Sequence, residues 1–400
     1  MEAQRLSTPG AQILSTGTYA ARARIAAEAA LQHAAAVDSA ARFPAEAFAE
    51  LRRQRLLGIM VPSSLGGEGA TVAELADICF ILGQACSSTA LIFAMHQIKM
   101  ACIIRHSKGN ATLERILKQI AGEQLLMASS TTEGQAGGNV RSSEAAIEHV
   151  GEEITLERKA TVISYATEAD GLVTTARRAA DAAASDQVLL VLLKKDYTLE
   201  RVQSWDTLGM RGTHSEGFAL RVRAPAQQVM PEPYEKIHPQ TMVPHAHILW
   251  GSVWAGIAAA ATIKAQAFIR NALRGSGGQM PPGAAHFTKA ASSLRTLRSV
   301  LNSAMRSYQV AMSDEKAVGA LEFQSMITLT KVQASELAVE TVLAALRACG
   351  LSGFRNDSEF SIGRHLRDVL SAPLMINNDR ILANLAMTSV MTSLPTTVSG

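Results

Sequence analysis

From Ala20 to Asp38 the chain is Ala-rich with Arg and Glu interspersed, a pattern of high intrinsic helix propensity that predicts a first helix. Arg42-Phe43-Pro44-Ala45-Glu46 follows, with Pro44 suited to a first helical position and Phe48, Leu51, Leu56 and Leu57 laying down an apolar face behind it. Val61-Pro62 and Gly66-Gly67 break the pattern before Thr71 restarts it. The run from Val72 to Ile104 is almost wholly apolar but is punctured by Asp77, Gln84, Ser87, Ser88, His96 and Lys99, which predicts two buried helices and no membrane segment. Around Leu125 the character changes. Residues 153–163 and 187–195 are short, rich in β-branched or aliphatic side chains and bounded by Gly, Asp or Lys, as strands of a sandwich or barrel are. Phe218 to Arg223 alternates cleanly and Pro225 closes it. Beyond Pro244 the helical period returns in Ile248 to Ile269, Ala284 to Met312 and Glu322 to Ala348, the first two parted by the Gly/Pro-rich stretch 275–283. Helices, strands, helices: that segregated order predicts separate α, β and α domains, not an alternating α/β fold.

Composition narrows the class. Of 400 residues, 48% are apolar and 18% charged, which suits a sizeable core and excludes a disordered chain. A formal charge of +3 over the whole length gives no basic stripe for a phosphate backbone, so no nucleic-acid partner is expected. An aromatic content of 4%, beside abundant Ala, Leu and Met, suits helix-on-helix packing. Cys79, Cys86, Cys102 and Cys349 show neither a C-x-x-C pair nor zinc spacing, so buried reduced thiols and no metal site are expected. Met1 to Thr18 lacks a basic patch followed by an apolar stretch, and no later run reads as the roughly 20 uncharged apolar residues of a membrane span. The expectation is a soluble cytoplasmic protein with no membrane partner.

Four segments carry a resemblance covering nearly the whole chain. Phe43-Pro44 with Leu57-Gly58-Ile59-Met60-Val61-Pro62 and Gly66-Gly67-Glu68-Gly69 is similar to an "FP…GL…VP…GG.G" segment. Thr132-Glu133-Gly134-Gln135-Ala136-Gly137-Gly138-Asn139 resembles a T-E-P-x-A-G-S-D loop, and Leu208-Gly209-Met210-Arg211-Gly212-Thr213 with Pro225 an L-G-x-R-G-S…VP block. Cys349-Gly350-Leu351-Ser352-Gly353-Phe354 with Arg367-Asp368 resembles a G-G-x-G-[FY]…RDA ending. In this order they resemble the acyl-CoA dehydrogenase superfamily of flavoproteins. The resemblance implies a mostly α protein with an all-α domain at 1–122, a β-barrel or sandwich domain at 123–231 and a four-helix bundle at 232–400. It also implies a homotetramer or dimer with FAD at the subunit interface. A buried isoalloxazine needs hydrogen-bond partners along its polar edge. Thr131, Thr132 and Ser164 stand where the family meets the ring, although turns and strands use such hydroxyls without any ligand. Arg274 stands where many members carry an Arg that reaches the pyrophosphate of a neighbouring subunit's FAD, or it is a solvated arginine before a loop. Gly350 belongs to the glycine-rich cofactor segment.

The resemblance weakens at the chemistry. Family dehydrogenases remove an acyl α-proton with a Glu just beyond Arg-Asp, and here the expected position falls at or near Ile376. The alternative location on the first long C-terminal helix, His245 to Trp250, offers no carboxylate either. Asp379 is the nearest acid, with helix capping as its other reading. His96 is a second candidate base, unless it is a core histidine. His245 and His247 form a third, with His247 in a slot where relatives often place an Arg near the acyl group. The Ser and Asp of the family loop are Gly138 and Asn139, and its packing Trp is Val162, which opens space beside the flavin and removes contacts to a CoA thioester. The sequence reads best as a FAD-dependent acyl-CoA dehydrogenase-like oxidoreductase acting on a CoA or carrier-protein thioester, with an electron-transfer flavoprotein as partner. A two-component monooxygenase using FMN or FAD and a flavin reductase is the alternative, although that branch often has a His where this chain has Met375. A non-catalytic member is the third reading.

Overall fold

The computed structural model describes residues 18–107, 109–131 and 141–391. The first helix, α1 (Tyr19–Ser39), buries Ala23, Ala26, Ala30, Ala34 and Val37, a stripe at helical spacing whose small side chains allow close approach. Pro44 sits one residue outside α2 (Ala45–Arg53), at its N-cap. Thr71 and Glu74 form a reciprocal capping box at the start of α3 (Val72–Ala85), and Cys86, extended, separates it from α4 (Ser87–His106). The apolar run is therefore two helices, as its punctures suggested. After α5 (Ala111–Glu123), Gln124 adopts a left-handed conformation and its Oε1 accepts from the backbone N–H of Leu57 and Gly58 at 3.0 and 3.2 Å. All four cysteines are buried and unbridged.

The β region forms two sheets. One has the order β1 (Met127–Ser130), β4 (Gly171–Arg177), β5 (Gln187–Leu193), with β1 and β4 parallel. The other is antiparallel, in the order β2 (Glu148–Val150), β3 (Glu153–Ile163), β7 (Glu216–Pro225), β6 (Tyr197–Gln203). β4 and β5 are buried along almost their whole length, so they read as runs and not as alternation. The register of β3 on β7 slips between Ala160 and Ile163, an irregularity of the kind that re-aims side chains at the end of a strand.

The C-terminal part begins with α6 (Tyr234–Ile237) and a π-helical turn, His238–Met242, which runs directly into α7 (Val243–Gly275). α7 starts ahead of the sequence expectation, with Pro244 falling just after the π-helical turn. It is packed by α3 on one side and by α8 (Ala284–Ala311) and α10 (Leu321–Phe354) on the other. α9 (Glu315–Gly319) links the last two, and α11 (Gly363–Val369), α12 (Ser371–Leu374) and α13 (Asn378–Met391) follow. α10 bends at Gly350, whose φ of 55° and ψ of −135° are not helical. The fold is mostly α with a central β region. Contrary to the sequence expectation, three helical segments among the described residues are long and apolar enough to cross a membrane by length and composition. In α4, and in the segment from α6 through α7, 89% of the most apolar window is buried inside this fold; in α10 the share is 44%.

Two of the sequence landmarks lock together. Gly209 lies so close to α11 that a Cβ there would sit 2.1 Å from the Arg367 carbonyl oxygen. The neighbouring Met210 N–H donates to Asp368 Oδ1 at 2.7 Å, and Arg367 reaches both the Asp38 carboxylate, at 3.0 Å through Nη1, and the Leu208 carbonyl, at 2.9 Å. Arg211 Nε donates to the Asp38 carbonyl at 2.9 Å. One junction thus joins the end of α1, the loop before β7 and α11. Gly209→Ala is expected to destabilise the protein by about 1–3 kcal/mol, because neither backbone can yield without breaking this junction. Denaturant unfolding monitored by circular dichroism checks it.

Candidate active site

Beside that junction lies a cavity of about 620 Å³ between the β region, α4 and the C-terminal helices. Strand alternation builds one wall. Ser129 and Thr131, two residues apart, face the cavity while Ser130 is buried behind them. Val162 and Ser164 do the same at the end of β3, just past its slipped register. Helical spacing builds the opposite wall, with Leu91, Met95, Ile98 and Lys99 of α4 on one stripe. His238, Met242, His247 and Trp250 close one end, and Leu370, Leu374, Met375 and Ile376 the other.

The hydroxyls form a directed chain. Thr213 Oγ1 donates to the Met210 carbonyl at 2.9 Å, so it can only accept from Ser215, 2.7 Å away. Ser215 then accepts from Ser164 at 2.8 Å. The Ser164 proton is committed inward and its oxygen is left as an acceptor on the cavity side. Acceptor hydroxyls on one wall and apolar surfaces on the others, including a Val162 that is 38% exposed, fit a planar heterocycle with a polar edge. A flavin ring is such a group, and Ser129, Thr131 and Ser164 would hold its edge.

His247 is the ionisable cavity residue that sequence reasoning had singled out. Its Nδ1 lies 2.9 Å from the Ile327 carbonyl, which only accepts, so Nδ1 carries the proton. Nε2 is left with its lone pair and has no protein partner among the described residues. Burial pulls the ring down to about 4, with the Lys331 charge adding to the effect, so the imidazole is neutral at pH 7. His238, which the sequence analysis passed over, lines the same end and is pulled down to about 3, again chiefly by burial.

Several expected residues lie elsewhere. His96 is fully buried with both nitrogens used: Nδ1 accepts from the Met127 N–H at 3.0 Å, so Nε2 donates to the Leu57 carbonyl at 2.8 Å. It joins α4 to β1 and the α2–α3 connection, and it is not a base facing the cavity. His245 is likewise internal, donating through Nδ1 to the Thr241 carbonyl at 2.9 Å. Asp379 is exposed in the first turn of α13 and does not line the cavity. The cap of that helix is Asn377, whose Oδ1 accepts from Asp379 N and Arg380 N. Arg274 is exposed at the end of α7 with its guanidinium on Asn271, and Gly350 is exposed at the bend of α10. Neither touches the cavity within one chain. Thr132 and Gly138 lie outside the described residues. Ile376, at or near the position expected to hold the base, does line the cavity, with a left-handed φ of 49° that is uncommon for a β-branched side chain. Among the described residues, no Asp or Glu lines it.

The helical, β, helical order with an apolar slot edged by β-strand hydroxyls suits a flavin-binding scaffold. Comparisons with known proteins support a member of the acyl-CoA dehydrogenase superfamily. The family described as acyl-CoA dehydrogenase, N-terminal domain, matches residues 18–124. Cyclohex-1-ene-1-carbonyl-CoA dehydrogenase of Geobacter metallireducens is 28% identical over 196 residues, 48% of this chain and 51% of the relative, so the match spans about half the relative's length. A probable acyl-CoA dehydrogenase of Mycobacterium leprae is 24% identical over 84% of this chain and 85% of its own. Among solved structures, FMN-bound TdsC of Paenibacillus sp. A11-2, a dibenzothiophene monooxygenase, superposes with a TM-score of 0.83 at 17% identity, covering 94% of this chain and 98% of that one.

Two expectations follow. Ser164→Ala removes one hydrogen bond to the ring edge and is expected to weaken flavin binding about two- to tenfold, measured by fluorescence titration. Acid stability tests His96. Burial lowers its pKa from 6.5 to about 4, so as pH falls through that range the unfolded chain takes up the proton first and stability declines. In His96→Asn that decline is expected to be shallower, by up to about 1.4 kcal/mol per pH unit, on top of a uniform loss from the vacated hydrogen bonds. Denaturant midpoints collected between pH 4 and pH 7 report both effects.

Proposed function

We propose that this protein is a flavin-dependent monooxygenase acting on a compact, largely apolar substrate, with the flavin, FMN or FAD, reduced by a separate reductase. The observation that carries the reading is the cavity wall at Ile376, a hydrocarbon side chain at or near the position where the family resemblance places the proton-abstracting carboxylate, with no Asp or Glu among the described lining residues. A carboxylate that takes a proton becomes neutral. His247 taking one would become a buried cation in an apolar wall that already feels the Lys331 charge, which disfavours full α-proton abstraction there. When bound, reduced flavin supplies the two electrons that split dioxygen, one oxygen atom entering the substrate and the other leaving as water.

The chain's own part is to bind, orient and keep water out. Ser164 and Thr131 hold the ring edge, Leu91, Met95, Ile98 and Trp250 exclude water, and His247 Nε2 accepts a hydrogen bond from an N–H or O–H of the substrate. The likeness to TdsC, itself seen with FMN, supports this reading. A second reading, α,β-dehydrogenation of an acyl thioester with an electron-transfer flavoprotein as acceptor, is favoured by the names of the curated relatives.

One experiment separates them. Supplied with reduced flavin and isotopically labelled dioxygen, the protein is expected to place one labelled atom in a small aromatic or heteroaromatic product, read by mass spectrometry. His247→Leu is expected to lower that turnover at least tenfold while retaining flavin. Absence of label across the panel, together with anaerobic bleaching of bound flavin by a saturated thioester, would establish the dehydrogenase instead.

A further inference from the structure

Lys99 is 4% exposed, an ammonium in the wall of a largely apolar cavity; the other cation in the described lining, Arg367, is paired with Asp38. Among the described residues its Nζ makes one hydrogen bond, 3.4 Å from the Lys99 nitrogen to the thioether sulfur of Met242. The Tyr234 hydroxyl, also buried and also lining the cavity, is directed to the same sulfur at 3.2 Å. Two strong donors therefore converge on one of the weakest acceptors a protein offers. Among the described residues no carboxylate pairs with Lys99, and a buried cation without an anion is a costly arrangement that a ligand can relieve.

Among the described residues the titratable neighbours do not oppose the charge, and Arg141 adds a second positive influence on Tyr234 and His238. Cys102 on α4 is pushed up to about 12 by burial and stays a thiol, the Tyr234 phenol is pushed up in the same way, and His238 is pulled down to about 3 and stays neutral, as does His247. Lys99 itself is pulled down only to about 8, so it is still mostly charged at neutral pH.

We propose that this end of the cavity is an anion subsite, in which the Lys99 ammonium and the Tyr234 hydroxyl leave the Met242 sulfur to receive the carboxylate of the substrate. A carboxylate accepts both donors as charge-assisted bonds, and the apolar stripe of Leu91, Met95 and Ile98 covers the body attached to it. The substrate class is accordingly an aromatic or alicyclic acid. This deepens the functional reading above and rests on it for the identity of the site, but it is tested without turnover.

Benzoate and its uncharged isostere benzamide are the probes, titrated by calorimetry into the full-length, flavin-loaded protein. Wild type is expected to bind benzoate at least tenfold more tightly than benzamide. Lys99→Met is expected to erase that preference by weakening benzoate alone, Lys99→Arg to retain part of it, and Tyr234→Phe to weaken benzoate a few-fold. Raising the pH through 8 is expected to weaken benzoate binding in wild type and not in Lys99→Arg. Equal binding of the two probes by wild type, or no saturable binding of benzoate, overturns the proposal even if Lys99→Met does not fold. Loss of flavin instead of benzoate in Lys99→Met also overturns it, by assigning the ammonium to the cofactor. Should labelled oxygen fail to enter any product while benzoate is still discriminated, the oxygenase reading falls and the subsite stands.

Discussion

The contact between the backbone of Gly209 and the carbonyl of Arg367 is the constraint on which the rest of the molecule turns. It admits no side chain, so the loop before β7 and the helix α11 are held at one separation. Asp38 draws the end of α1 to the same point through its carboxylate and its carbonyl. Residues on both sides of the contact line the cavity, Thr207 and Met210 from the loop and Leu370 and Ser371 from the chain beyond α11. The slot has a fixed width because its two lips are bolted together.

Within the slot, burial governs the chemistry. His238, His247 and Lys99 all lose affinity for protons for the same reason, the difficulty of solvating charge in an apolar wall, yet they come to rest differently. The two imidazoles are neutral and act as hydrogen-bond partners, whereas the ammonium keeps most of its charge. The result is a cavity whose described lining carries two cations, Lys99 and an Arg367 already paired with Asp38, several hydroxyls and no carboxylate.

Much of this organisation could be read along the chain. The helical runs, the change of period near Leu125 and the return of helices beyond Pro244 are local properties, and they survive in α1, α3, α4, α7, α8 and α10. The pairing of β1 with β4, far apart in sequence and parallel, is a non-local choice that no local pattern encodes. Within the site, Ser164 and Thr131 were findable because strand alternation and the family landmarks agreed on them. The histidine of α4 was misjudged by a single position. His96 follows Met95, and one residue along a helix is about 100° of rotation, enough to move a side chain from the cavity face into the core. The spacing Leu91, Met95, Ile98, Lys99 held the corrective signal, since it marks Lys99 and not His96 as sharing the cavity stripe. Tyr234 and His238 fall between Pro231 and Pro244, a stretch to which the sequence pattern assigns no element, and the structure places them in α6 and at the start of the π-helical turn.

That turn, His238–Met242, also sets a rule about length. A π-helical turn accommodates one more residue than an α-helical turn would, and it stands between the short α6 and the long, immovable α7. Removing one residue would let the two helices merge into a regular spiral at the expense of phase, swinging everything upstream by about 100°. Tyr234 would then leave the slot while α7 stayed in place. The surplus residue works as a rotary spacer, and homologous chains of the same composition but one residue shorter here should present a different wall to whatever they bind.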